Sequence, residues 1–306
     1  MKNLKKMIAA LVVIAMIATL MVPAFAAESF SYEKEARDLY DLGLYKGTDP
    51  NSYVPNLEGK LDRQTGVVML LRLFGQEEDA LALSFEDAKA KLANFSDAAD
   101  IADWAQKQVA YAVNKGFVKG YPDGTFKPAA DLNGKAYSSL ILQQLGYDGD
   151  FEYNSAALYL KEVGGLTEAQ GATFNTDAGI IRDALVGISS GAMFAKYKGS
   201  EQTVAEKLVE LNKIDKTLAL TKRYVFKKVK EVASLEDVRV AIGGTPSFPE
   251  KVKVTYEDDT TEELAVAWPT TVDTSAAGEK EIEGKVDGTK DSVAKVKLIV
   301  EEDKLK

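Results

Sequence analysis

The sequence predicts a multidomain α + β chain: a helical repeat bundle followed by a small antiparallel β-sandwich. Three observations predict it. Apolar residues recur at helical spacing from about residue 32 to 211. One helix–turn–helix pattern returns within that stretch. Beyond residue 232 the apolar period drops to two. At 306 residues, with 46% hydrophobic and 28% charged side chains, the chain has material for two ordinary globular domains.

Residues 1–26 stand outside either domain. Lys2, Lys5 and Lys6 precede an apolar run from Met7 to Val22, then Pro23 and Ala24-Phe25-Ala26, the layout of a secretory signal peptide cleaved after Ala26. The run is shorter than the roughly 20 residues of a spanning helix, so no membrane attachment is expected after cleavage. Of the chain's 38 basic residues the leader takes three. The remainder stand against 47 acidic residues, so the formal net charge moves from −9 to −12. That sign argues against a nucleic-acid partner and requires any anionic ligand to be held by local cations. Cysteine is absent, so no disulfide or thiol chemistry is available. Histidine is absent too, which excludes Ser-His-Asp catalysis and nearly all zinc sites. The acids are scattered on charged faces and Asp97, Asp100 and Asp103 lack the glycine and distal glutamate of a calcium loop. The reading is therefore not an enzyme: no catalytic residue, no metal and no cofactor.

The clearest copy of the repeat lies within 86–148. Ala105, Val109, Ala112 and Val113 make one helical stripe closed by Gly116, and Ala136, Leu140, Ile141 and Leu145 a second closed by Gly146. Between them, Pro122 and Gly124 make Tyr121–Phe126 a turn. Residues 27–85 hold a first copy, with Ala36, Leu39 and Leu42, then Val67, Leu71 and Phe74; Gly43-Leu44-Tyr45-Lys46-Gly47 mirrors Gly116-Phe117-Val118-Lys119-Gly120. The distance between helix-closing glycines is 32 residues in the first copy and 30 in the second. A third copy, 149–212 with a trailing helix at Glu201–Leu211, has stripes through Ala156, Tyr159, Leu160 and Val163 and through Ile181, Leu185, Ile188 and Met193. It lacks the turn signature, and Thr167 to Thr176 carries only Gly171 as punctuation. Register supports it: Arg182 lies 18 residues after Gly164, and Arg63 lies 20 after Gly43.

Residues 213–231 form a basic linker with Lys213, Lys216, Lys222, Arg223, Lys227, Lys228 and Lys230. It is either a solvated helix face, which the interleaved aliphatic residues favour, or a patch for an acidic polymer. From 232 to 303, Val238/Val240/Ile242, Val252/Val254/Tyr256, Leu264/Val266/Trp268 and Ala294/Val296/Leu298/Val300 alternate with polar or small residues between turn signals, the pattern of the sandwich.

Phe95-Ser96-Asp97, Trp104, Gly116, Gly120-Tyr121-Pro122-Asp123-Gly124-Thr125-Phe126 and Leu145-Gly146 together resemble the S-layer homology (SLH) module of bacterial surface proteins. The resemblance extends over about Tyr32 to Ala195. It implies three SLH copies in a pseudo-threefold bundle, with grooves between neighbours that bind an acidic, pyruvylated secondary cell-wall polysaccharide. It also implies an extracellular, wall-associated location. The C-terminal stretch is similar to a bacterial immunoglobulin-like domain, a spacer or adhesive module. The chain ends on its last strand without a sorting motif or apolar tail, so non-covalent attachment is expected. The alternative is a structural subunit of an S-layer or fibre whose repeats self-associate into a homo-oligomer or lattice.

In that family a Thr-Arg-Ala-Glu-like tetrad opens each second helix, and its arginine contacts the polymer. Copy one keeps the arginine in Asp62-Arg63-Gln64-Thr65 and copy three in Ile181-Arg182-Asp183-Ala184. Copy two reads Asn133-Gly134-Lys135-Ala136, with Lys135 one place late. A guanidinium makes paired bonds to a carboxylate, and free N–H groups at an exposed helix start are expected to assist. The polymer-binding set implied is Arg63, Arg182, Trp104, Asp97, Tyr121, Asp123, Gly124 and Lys135. Each has a plainer reading: Trp104 in the core, Asp97 as a helix cap, Asp123 as a turn residue, and the arginines as surface charges.

Overall fold

The computed structural model describes residues 31–49 and 51–302; the signal-peptide reading of residues 1–26 lies outside the described residues. The helical part is built from three units. Unit one contributes α1 (Glu33–Asp41) and α2 (Arg63–Leu73), followed by the short α3 (Glu77–Leu81), and α4 (Phe85–Leu92) leads into unit two and packs on its first helix. Unit two contributes α5 (Asp103–Asn114) and α6 (Gly134–Gln144). Unit three contributes α7 (Ala156–Glu162), α8 (Glu168–Phe174) and α9 (Arg182–Ala192), and α10 (Val204–Glu210) and α11 (Lys216–Thr221) follow.

Local chemistry sets these boundaries. The Asp62 carboxylate accepts the Thr65 N–H at the start of α2, and the Asn133 side chain accepts the Ala136 N–H at the start of α6. The glycines that close the stripes, Gly43, Gly75, Gly116, Gly146 and Gly164, all have left-handed φ, between +65° and +89°. Unit three corrects the sequence reading, because Thr167 to Thr176 is not punctuated loop. Thr167 and Gln170 form a reciprocal capping box that starts α8.

The second helices α2, α6 and α9 are the inner ones, buried along most of their length. Leu70, Leu71, Ile141, Leu142, Leu185 and Ile188 are fully buried among them. Each such side chain contributes roughly 1.5–3 kcal/mol relative to exposure. A ring of three antiparallel bridges joins the segments that enter these helices: Asp62 to Asp131, Asn133 to Gly179, and Lys60 to Ile181. Main-chain bonds follow the same cycle. Arg63 and Gln64 N–H donate to the Ala130 and Pro128 carbonyls, Lys135 N–H to Thr176, and Arg182 and Asp183 N–H to Gly59 and Leu57. Each unit thus satisfies the helix start of the one before it, giving the pseudo-threefold arrangement that the resemblance implied.

The C-terminal part contains β1 (Val229–Val232), β2 (Val238–Ala241), β3 (Lys251–Tyr256), β4 (Thr261–Ala267), β5 (Gly278–Val286) and β6 (Val293–Glu301). Their order is β1-β3-β4-β5-β6-β2. β4 pairs with β3 over Thr261–Ala265 and with β5 at Val266 and Ala267, so it joins the two halves of one six-stranded sheet. The expected all-antiparallel pairing needs one correction: β2 runs parallel to β6, from Val238 beside Leu298 to Ala241 beside Glu301. Val252, Val254, Tyr256, Val266, Val286 and Ala294 form a core separate from the helical one.

The basic stretch is not a bare linker. It holds α11, capped by Asp215, and ends in β1. Lys222 bridges Asp38 (2.7 Å) and Asp41 (2.8 Å), Arg223 grips Asp287 through both guanidinium Nη atoms (2.6 and 3.0 Å), and Lys230 meets Asp259 (2.6 Å). Acids from both parts of the chain neutralise these cations.

Candidate functional site

The three junctions between units, where the resemblance implies grooves, are built from equivalent backbone and unlike side chains. In the groove between units one and two, Arg63 opens α2 and reaches into the turn of unit two. Its Nη2 donates to the Lys119 carbonyl at 2.7 Å. Its guanidinium carbon lies 4.9 Å from the Tyr121 ring centre and 5.1 Å from that of Phe126, within cation–π range. Burial pulls the Arg63 pKa below its ordinary value, opposed by the Tyr121 and Tyr153 phenols. Arg63 Nε is buried with no hydrogen-bond partner among the described residues.

The turn beside it is locked by its own side chains. Asp123 accepts the Thr125 N–H (3.0 Å) and hydroxyl (2.5 Å) and pairs with Lys127 (3.0 Å), and these contacts lower its pKa to about 2. Lys127 Nζ also stands 4.4 Å from the Tyr121 ring centre. Gly124, at φ +78°, has open space where a side chain would stand, so its role is conformational. Asp97 accepts the main-chain N–H groups of Phe126 and Lys127, both at 2.7 Å. It is therefore not the side-chain cap of the short helical turn it precedes.

The groove between units three and one is plainer. Arg182 is half-buried beside Tyr45, whose hydroxyl donates to the Pro55 carbonyl, and its charge opposes the rise in pKa that burial gives that phenol. Thr48 and Pro55 take the places of Tyr121 and Phe126, as paired bonds show: Thr48 N–H to Val54, and Tyr121 N–H to Thr125. Arg182 Nε, like Arg63 Nε, is buried and unpartnered among the described residues. The groove between units two and three is shut. Gly134 takes the arginine's place, and a Cβ there would stand 2.0 Å from the Phe174 carbonyl oxygen. Lys135, almost wholly buried, meets Asp177 at 2.7 Å.

The S-layer homology domain family matches residues 94–134, the whole turn of unit two and both of its flanking segments, and the bacterial Ig-like domain family (group 4) matches residues 233–289. The chain carries an S-layer homology domain followed by a bacterial Ig-like domain. Cell surface glycoprotein 1 of Acetivibrio thermocellus is 31% identical over 100 residues, 33% of this chain. The matched stretch spans 4% of the length of that relative.

The SLH match holds Asp97, Trp104, Tyr121, Asp123 and Gly124, but ends where the arginine of the motif would stand. The cation of the unit-two turn, Arg63, comes from unit one. Trp104 is 54% exposed, because α5 buries the face carrying Ala105, Val109 and Ala112; the core reading is replaced by a surface ring. The expected free N–H groups at the helix starts are also corrected, since the next unit's carbonyls take them. Sequence reasoning missed Lys127, which directly follows the SLH turn motif, and Tyr153, whose hydroxyl donates to Asn133 Oδ1 at 3.1 Å.

Proposed function

We propose that this is a non-catalytic cell-surface protein whose helical units hold it non-covalently on the wall by binding an acidic, pyruvylated secondary polysaccharide. The three units act as SLH copies, the Arg63 groove is the principal site and the Arg182 groove a second one. The observation that carries this reading is the Arg63 guanidinium, desolvated against Tyr121 and Phe126 with its Nε unpartnered. A planar cation so placed offers a carboxylate a directed, charge-assisted contact, and the exposed Tyr121 ring offers a pyranose an apolar face. SLH domains bind cell-wall polysaccharide, which supports the class of partner, and the named relative is a cell surface glycoprotein. The Ig-like domain acts as a spacer on this reading.

The test is a titration of purified wall polysaccharide against the wild type, Arg63→Ala, Arg182→Ala and the double variant at two ionic strengths. A charged contact of roughly 1.5–3 kcal/mol makes each single loss on the order of tenfold to a hundredfold. The double variant loses more, because two grooves on one body act multivalently along a polymer. Unchanged affinity in the double variant moves the function to self-association in a surface layer.

A further inference from the structure

We infer that Asp177 is a built-in carboxylate ligand that occupies the groove between units two and three, and that its removal opens a third carboxylate site at Lys135. The inference rests on the polysaccharide reading for its biological meaning, but not for its chemistry. Lys135 is 8% exposed, and its ammonium sits 2.7 Å from the Asp177 carboxylate, its one ion-pair partner among the described residues. A buried ammonium needs a counter-charge, whereas Asp177, with a side chain 72% exposed, gains little from the pair. The lysine is therefore the demanding partner, and the aspartate is the replaceable one.

The pseudo-threefold register shows what stands at the same place in the other grooves. Pro128, Leu57 and Thr176 accept corresponding helix-start N–H groups, and Asp131, Lys60 and Gly179 form the corresponding bridges. One residue past the acceptor in each unit are Ala129, Glu58 and Asp177. The Arg63 groove thus has alanine there, and no acid pairs with Arg63 among the described residues. The Arg182 groove has Glu58, which makes no ion pair among the described residues. Only the groove that has lost its arginine to Gly134 has a helix-start cation answered by an acid of the neighbouring unit. The pair shows in one molecule the contact that the open grooves lack, a carboxylate against a helix-start cation.

Thermal melting in sodium acetate and in sodium chloride at equal ionic strength tests this without the polysaccharide. The proteins are the wild type, Asp177→Ala and Asp177→Ala/Lys135→Met. Acetate is expected to raise the melting temperature of Asp177→Ala over chloride by about 2–4 °C more than that of the other two, which share with it only what acetate gains at the arginine grooves. Calorimetric titration with a methyl hexopyranoside bearing ketal-linked pyruvate then reads the site count. Asp177→Ala is expected to bind one equivalent more than the wild type, and the added equivalent is lost with Lys135→Met. An acetate effect in Asp177→Ala no larger than in the wild type overturns the inference. So does a wild type that binds the hexoside beside an Asp177→Ala variant with the same site count. A larger acetate effect in Asp177→Ala than in the wild type, with no hexoside binding by any protein, upholds the carboxylate site and rejects the polysaccharide reading instead.

Discussion

Asp97 Oδ1 accepts the main-chain N–H of Phe126 at 2.7 Å, across 29 residues of chain. Its second oxygen holds the Lys127 N–H at the same distance, so one carboxylate fixes the strand of the turn that supplies both the Phe126 ring and the Lys127 ammonium to Arg63's groove. Asp97→Ala removes two charge-assisted bonds at a partly exposed place, and about 2 kcal/mol of destabilisation is expected in urea titration. Polysaccharide binding is expected to weaken with it, since the wall behind Arg63 loosens. An unshifted urea midpoint with lost binding makes Asp97 a direct ligand contact instead.

Unit two was legible because its signals are local. Pro122, Gly124 and the closing glycines each act within a few residues of themselves, and the sequence alone located them. Arg63 was legible as a residue but not as a partner of Tyr121, because the contact joins two units. Lys127 escaped for the opposite reason: nothing in Phe126-Lys127-Pro128 distinguishes a solvated lysine from one held over a ring. The capping box of α8 was written in Thr167 and Gln170, yet a search for Pro and Gly punctuation passes over it. β1 and β5 were hidden by charge, since their half-buried residues are flanked by lysines and glutamates. The parallel pairing of β2 with β6 is a non-local choice that no short-range pattern encodes.

Gly134→Ala is expected to destabilise the helical part by roughly 1–3 kcal/mol, read as a lower melting temperature. The new Cβ falls 2.0 Å from the Phe174 carbonyl oxygen, so backbone must move at the junction of units two and three. Gly124→Ala provides the contrast. No atom lies within 4 Å of its Cβ position, and only the strain of φ +78° is incurred, a cost of about 1 kcal/mol. Equal effects at the two sites contradict the closed groove.

Asp123 carries the pH prediction. Its hydrogen bonds with Thr125 and its pairing with Lys127 lower the pKa from 3.8 to about 2. A carboxyl group depressed in the folded state contributes stability that is fully present above its unfolded value, near 3.8, and is lost as pH falls toward about 2. The turn is therefore expected to keep its form down to about pH 3, while the polymer's own carboxyl groups titrate. A carbon-detected NMR titration should place the Asp123 midpoint near 2. A midpoint at the ordinary aspartate value means that the Lys127 and Thr125 contacts are absent in solution.

The connection between the two cores is expected to be the first place cut by a protease. Tyr224 and Val225 are buried with the helical core, and Val229 begins β1, which leaves 226–228 without regular structure and with Lys227 and Lys228 as tryptic sites. Arg223 and Asp287 span this point, but both are about half exposed, and such a pair contributes no more than about 1 kcal/mol. We therefore expect limited trypsin to release a helical and a β fragment, and Arg223→Ala to speed that cut without shifting its position. Because neither core shares apolar residues with the other, calorimetry of the intact chain should show two transitions, the later surviving the cut unchanged. One cooperative transition, with resistance at Lys227 and Lys228, makes the helical and β parts a single folding unit.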